Sequence, residues 1–258
     1  MPSVWTVTLR GMAQRDMLPS PFHGMVSHWL AHDENPARFS AHYQSVGPRT
    51  VLVTIRVLDD SLEPAIPLIP LRHLQPSGFT SKDRSRIQGW TITSEPHLIA
   101  RYSWADLLHV PEPVYSAWRI RLLTPTAWSK TPGHPTNVDP RRLLHSAKDH
   151  WAQLDATTGR RSCPLPPGGT FPNIRTTSPP ALHHETFASL ETAPDALLGH
   201  LDVTVTTERE ARITQQLLNF ASLAGIGVQR TWGMGAIEVT AIPPHHPRRP
   251  YTTRRHAT

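Results

Sequence analysis

Thr207-Glu-Arg-Glu-Ala-Arg-Ile-Thr-Gln-Gln-Leu-Leu-Asn-Phe-Ala-Ser-Leu-Ala-Gly-Ile-Gly-Val-Gln-Arg-Thr-Trp-Gly-Met-Gly235 joins a helix start, an amphipathic helix and a doubled glycine loop in one run. Thr207 and Glu210 have the spacing of a capping box, in which each side chain bonds the other residue's backbone N–H. Ile213, Leu217, Phe220, Ala221 and Ala224 recur at helical spacing and predict a buried face on a helix over 207–224. Two Gly-apolar-Gly steps follow, Gly225-Ile226-Gly227 and Gly233-Met234-Gly235, with Arg230 between them. Glycine accepts positive φ and lets backbone approach a ligand closely, so the loop is expected to offer N–H donors to an anion. Arg230 inside it points to phosphate. No Gly-Lys-Ser/Thr closes the loop, and Arg230 stands where a dinucleotide fingerprint needs its third glycine. The loop also runs from helix to strand, the reverse of both those motifs. The plainer alternative is a tight connection that needs glycine for turn geometry alone.

Working outward, Leu201-Asp-Val-Thr-Val-Thr206 alternates and predicts the strand before this helix, and 232–242 the strand after it. Ser116-Ala-Trp-Arg-Ile-Arg-Leu-Leu123 is a further strand and 140–154 a helix, with 156–181, rich in Pro, Gly, Thr and Ser, expected to be a long loop. The N-terminal half repeats the pattern. A strand over 4–10 precedes a helix over about 21–32 that opens at Ser20-Pro21 and buries Phe22, Val26, Trp29 and Leu30. Strands over 39–44 and 49–59 pair across Gly47-Pro48, a proline-broken segment over 62–74 allows a short helix, and 87–93 and 97–102 read as strands. Strand, helix, strand, strand, helix, strand is the ferredoxin-like order. The expectation is an α+β chain of two tandem ferredoxin-like units, 1–112 and 113–242. A basic tail follows over 243–258, with His245-His246 and Arg254-Arg255.

Twenty-six Lys and Arg against 20 Asp and Glu give a formal charge of +6, which favours an anionic partner such as nucleic acid. The 16 histidines accompany 27 prolines, so their number reads as compositional bias. The single cysteine, Cys163, excludes an internal disulfide and a Cys-based zinc site and fits a cytoplasmic location. Residues 1–20 hold Arg10, Arg15 and Asp16 without an apolar run, which argues against a signal peptide. No stretch approaches a membrane span. His28 and His32 have the i, i+4 spacing of zinc ligands, but Trp29 stands where the motif needs Glu, so no metal and no cofactor is expected.

Gly-apolar-Gly, five residues with basic character, then Gly-apolar-Gly resembles the glycine-rich signature of the CRISPR-associated RAMP (repeat-associated mysterious protein) superfamily. More narrowly, it resembles that of the endoribonucleases that cut CRISPR precursor transcripts within each repeat. Leu217-Leu-Asn-Phe-Ala-Ser-Leu-Ala-Gly-Ile-Gly227 is similar to that family's approach to the loop. Arg119-Ile-Arg-Leu-Leu-Thr-Pro-Thr-Ala-Trp128 resembles its strand ending in Ser-Pro-Thr-Ala-Phe, and Val138-Asp-Pro140 with 143–151 the helix that follows there. Leu30-Ala-His-Asp33 with Pro36-Ala-Arg-Phe-Ser40 resembles its Leu-His-Asp, basic residue, Phe-Ser run. Val228-Gln229 departs from the family's usual Arg-Lys, Trp128 stands for Phe, and Lys130 can supply the cation that often follows.

The resemblance implies a metal-independent cut of CRISPR repeat RNA. The ribose 2′-hydroxyl attacks the adjacent phosphorus, leaving a 2′,3′-cyclic phosphate and a 5′-hydroxyl. Histidine suits the two proton transfers near neutral pH. His32 matches the family's histidine, and Arg38 its basic residue, assigned to the phosphate. On a helical wheel His28 neighbours His32 at the edge of the apolar stripe and is the reserve acid or base; His42 is more remote. Gly225, Gly227, Arg230, Gly233, Gly235, Lys130, Arg141 and Arg142 are the RNA-binding candidates. The competing reading is a RAMP subunit that holds CRISPR RNA in an effector complex without cutting it. Whether the chain works alone, as a homodimer or among effector subunits stays open.

Overall fold

The computed structural model describes residues 1–11, 19–31, 33, 35–73, 89–128, 139–160, 162–165, 168–185, 196–228 and 230–243. The N-terminal sheet is built from β1 (Ser3–Arg10), β2 (Phe39–Gly47), β3 (Thr50–Val57), β4 (Thr91–Ile92) and β5 (His97–Arg101). Its order is β2-β3-β1, with β4 and β5 both on the outer edge of β1 and every pairing antiparallel. Helix α1 (Pro19–Trp29) buries Phe22, Met25, Val26 and Trp29 against Val7, Leu9, Val53, Ile55 and Val57. The proline-broken segment is a 3-10 helix (Asp60–Leu68) running into a short α2 (Ile69–His73), since Pro64 and Pro67 remove the N–H donors of a regular helix.

The C-terminal sheet repeats the arrangement. β6 (Ala117–Thr126) is central, between β10 (Ile237–Ala241) and β9 (Ala196–Thr204); β7 (Arg175–Thr176) and β8 (Ala181–Glu185) line the far edge of β9. A short α3 (Trp104–Leu108) precedes it. Helix α4 (Pro140–Thr158) starts where the Asp139 carboxylate accepts from the Arg141 N–H, with Pro140 in the first turn. It ends at left-handed Gly159, φ 69°. Helix α5 (Glu208–Ala224) opens on the capping box read from Thr207 and Glu210. Trp118, Ile120, Leu122, Leu143, Leu144, Trp151, Leu201, Val203, Leu217 and Phe220 share its core.

Two ferredoxin-like units in tandem are therefore present, each with strands in the order fourth, first, third, second. Two expectations change. The stretch 156–181 is not one long loop: α4 continues to Thr158, and β7 and the start of β8 lie within it. The strand expected over 232–242 begins only at Ile237, because Arg230–Trp232 forms a 3-10 turn. The basic tail from 244 onward lies outside the described residues. None of the described helices is long and apolar enough to cross a membrane.

Candidate nucleic-acid interface and catalytic residues

The doubled glycine loop folds back on itself at the C-terminal end of α5. Gly225, Gly227, Gly233 and Gly235 all have positive φ, between 72° and 91°. Three of them lie against backbone. A Cβ at Gly235 would sit 1.9 Å from the Ile226 oxygen, one at Gly227 2.3 Å from the Ala127 oxygen, and one at Gly225 3.0 Å from the Gly235 oxygen. Five of the loop's backbone donors are already taken up within the protein. Gly225 N–H donates to Ala221 O, Ile226 to Gly235 O, Val228 to Ala127 O and Gly235 to Pro125 O. Gly227 N–H donates to Ser146 Oγ on α4 at 2.8 Å. The loop thus ties α5, the end of β6 and α4 together.

Arg230 needs a correction. It is only 2% exposed, and its guanidinium donates back to Ala224 O at 3.1 Å instead of facing a phosphate. Burial pushes its pKa down to about 9. Exposed cations stand nearby on α4. Arg142 is exposed and makes no ion pair among the described residues, while Arg141, also exposed, bonds Asn173 Oδ1 at 3.0 Å. Arg142 borders a cleft of about 400 Å³ between α4 and the first glycine pair, lined also by Trp128, His145, Ser146, Asp149, His150 and Gly227. The His150 imidazole is pushed down to about 3 by burial and then by the charge of Arg230, so it is neutral near pH 7. The α4 residues of this cleft recur at three and four positions opposite Leu143, Leu144, Ala147 and Trp151. That polar stripe was the sequence signal for the cleft. Lys130 lies outside the described residues.

The second glycine pair reaches the N-terminal unit. His23 on α1 stacks on Trp232, with ring centroids 5.0 Å apart and planes at 15°, and its Nδ1 lies 3.3 Å from Thr231 O. A Cβ at Gly233 would meet the Phe22 and Tyr43 rings at 3.3 Å. Ser40 Oγ on β2 donates to Leu223 O at 3.0 Å. Sequence reading missed this joint, because its two halves are some two hundred residues apart.

At the other end of α1 the candidates separate. His32 lies outside the described residues. His28 does not face a groove: it is 7% exposed, and its Nε2 lies 3.0 Å from the Arg72 carbonyl that covers it. Arg38 does not present a free guanidinium to phosphate. It donates to Asp33, to Asp59 at 2.9 Å and to Ser61 Oγ at 2.5 Å. Burial alone would raise the Asp59 pKa, but the hydrogen bonds from Ser61 and Arg38 hold it below the usual carboxylate range. The remote His42 is pushed down to about 3 by burial and then by Arg56, whose guanidinium lies 3.0 Å from its Nδ1. Among the described residues no cluster of three or more His, Cys, Asp or Glu is placed to hold a metal ion.

Residues 120–237, from within β6 to the start of β10, match the family model of the CRISPR-associated endoribonuclease Cas6. The fold is shared with solved Cas6 structures over nearly the whole chain. A product complex of Cas6 from Thermus thermophilus is 14% identical with a TM-score of 0.64, and the match covers 93% of this chain and 100% of that one. A product complex of another Cas6 is 15% identical with a TM-score of 0.65, covering 93% and 99%. A Cas6-related protein from Pyrococcus furiosus is 9% identical with a TM-score of 0.51, covering 93% and 99%. No curated protein sequence matches the chain.

Proposed function

We propose that the chain is a CRISPR-RNA-processing endoribonuclease of the Cas6 family, whose model its residues 120–237 match and whose fold it shares. The substrate is the repeat within a CRISPR precursor transcript, cut at a defined site without a metal ion. The 2′-hydroxyl attacks the adjacent phosphorus, and the products end in a 2′,3′-cyclic phosphate and a 5′-hydroxyl. His32 moves a proton, as base toward the 2′-hydroxyl or as acid toward the leaving 5′-oxygen. RNA backbone runs past the glycine loop, where Arg142 and Arg141 provide charge.

One observation carries this reading. The glycine loop in the matched region stands directly against α1, the helix whose chain leads on to His32. The contact lies at the start of α1, and it supports a reading in which the matched region and the N-terminal signature act together. The burial of His28 and the pairing of His42 with Arg56 remove two competing histidines from proton transfer, which favours His32.

The test mixes purified protein with the repeat RNA of its own genome in EDTA. The expected outcome is cleavage to a cyclic-phosphate end, with His32→Ala slowing it by about 10²- to 10⁴-fold while binding persists. Tight binding of RNA that stays intact would instead support the non-cutting RAMP subunit. A strict need for magnesium would overturn the mechanism.

A further inference from the structure

We propose that His23, Trp232 and Gly233 are positioning residues, through which the second arm of the glycine loop sets where α1 and the residues after it stand. What α1 positions rests on the endoribonuclease reading; the grip itself does not.

The arm is a rigid support. Arg230, buried just ahead of Thr231 and Trp232, is fixed to Ala224 O, and Gly235 is bonded to Pro125 O and receives the Ile226 N–H. The 3-10 turn at Arg230–Trp232 is therefore tied on one side to the end of α5 and on the other to β6. From this support three contacts reach α1 and its neighbour β2. The His23 ring lies nearly parallel on the Trp232 indole, its Nδ1 faces Thr231 O, and Gly233 leaves room for Phe22 and Tyr43, themselves 4.7 Å apart between centroids. Gly233 differs here from Gly225, Gly227 and Gly235, since the atoms a side chain would meet belong to the other unit. The Ser40–Leu223 bond fixes β2 to the end of α5 beside these contacts.

The grip acts near the start of a helix that is also packed along its length in the N-terminal core and held at its far end by Arg72, which donates to Trp29 O at 2.6 Å, so its loss is read as a small tilt of the helix. At 1.5 Å per residue, the end of α1 lies about 9 Å beyond His23, so a tilt of about 6° moves it about 1 Å. Misplacing a reacting group by that much costs on the order of 10²-fold in rate. A residue acting this way alters turnover and leaves RNA affinity alone, whereas one that touches RNA alters both.

Three variants decide it: Trp232→Ala, Trp232→Phe and His23→Ala. Both positions are half-buried and His23 lies outside the loop, and circular dichroism of each variant checks that the fold is kept. Single-turnover cleavage at saturating repeat RNA is expected to slow about ten- to hundredfold in Trp232→Ala and His23→Ala. The Kd for RNA stays within about twofold, and Trp232→Phe, which keeps a stacking ring, restores most of the rate. Hydrogen exchange of the amides over 22–29 should quicken in Trp232→Ala and His23→Ala but not in Trp232→Phe. Affinity lost in proportion to rate, or unchanged rate and exchange, overturns the proposal. If the wild-type protein leaves the repeat RNA intact, the catalytic reading has failed and exchange alone decides: a quickened α1 supports the grip, an unchanged one ends it.

Discussion

All three nitrogens of the Arg38 guanidinium are engaged by the protein, two on the carboxylates of Asp33 and Asp59 and one on Ser61 Oγ. The Arg38 carbonyl also accepts the N–H groups of Leu58 and Asp59, and its own N–H donates to Asn35 O. The residue therefore staples the chain after α1 to the end of β3. Its side chain is a quarter exposed, which screens the pairing, so Arg38→Ala is expected to cost only about 1–2 kcal/mol in urea unfolding. Arg38→Lys should recover little, because an ammonium cannot span two carboxylates as a planar fork does. The RNA side of the test is the salt dependence of binding. Losing one phosphate contact flattens the slope of log K against log salt by about 0.7–0.9. An unchanged slope in Arg38→Ala with reduced stability is expected; a flattened slope with full stability would return Arg38 to the phosphate.

The glycine loop as an element explains its four glycines by two different needs. Gly227 and Gly235 sit where any Cβ collides with a carbonyl oxygen, at 2.3 and 1.9 Å, in backbone already at positive φ. Gly233→Ala meets only aromatic carbons at 3.3 Å, which can yield by a few tenths of an ångström. Thermal unfolding should rank them. Gly235→Ala and Gly227→Ala are expected to lose more than about 3 kcal/mol or fail to fold, and Gly233→Ala about 1–2 kcal/mol. Equal losses at 233 and 235 would contradict that division. The loop's position in the fold was legible because local chemistry declares it: the Thr207–Glu210 capping box, the apolar stripe of α5 and the glycine spacing are all short-range. What was not legible depends on remote partners. β8 reads Ala-Leu-His-His-Glu, with no alternating buried face, and becomes a strand by pairing with β9. His28 sits at the edge of the α1 stripe on a wheel and is buried where Arg72, more than forty residues on, brings its carbonyl to the ring. Arg230 and Arg38 read as ligand contacts because a charge reveals nothing about the carbonyl or carboxylate that will claim it.

At the scale of the whole molecule, the two units are joined by polar groups that burial has made sensitive to acid. β2 and β3 place Ser40, His42, Thr54 and Arg56 on one face, all buried, and Ser40 bonds the end of α5. Short α3 is tied to α5 as well: Gln216 donates to Leu108 O and Asn219 to Leu107 O. In this setting His42 stays neutral down to about pH 3, and so does His150 between α4 and the glycine loop. An imidazole in the unfolded chain titrates near 6.5, so between about pH 6.5 and 3 the unfolded state binds more protons than the folded one. Stability is thus at its plateau above 6.5 and falls as the pH is lowered through that window. Each group contributes at most about 1.4 kcal/mol per pH unit, and the pair about 2.7. Between pH 6.5 and 5 the ordinary carboxylates remain ionised, so the slope there belongs to histidine. Urea unfolding at pH 7, 6 and 5 is expected to show the decline, and His42→Asn, which keeps an acceptor for Arg56, should remove part of it, the rest belonging to His150 and to His73, whose pKa burial also lowers. A flat profile from pH 7 to 5 would mean that one or both rings gain a proton without opening the structure, and the neutral, buried assignment of His42 and His150 would then be wrong.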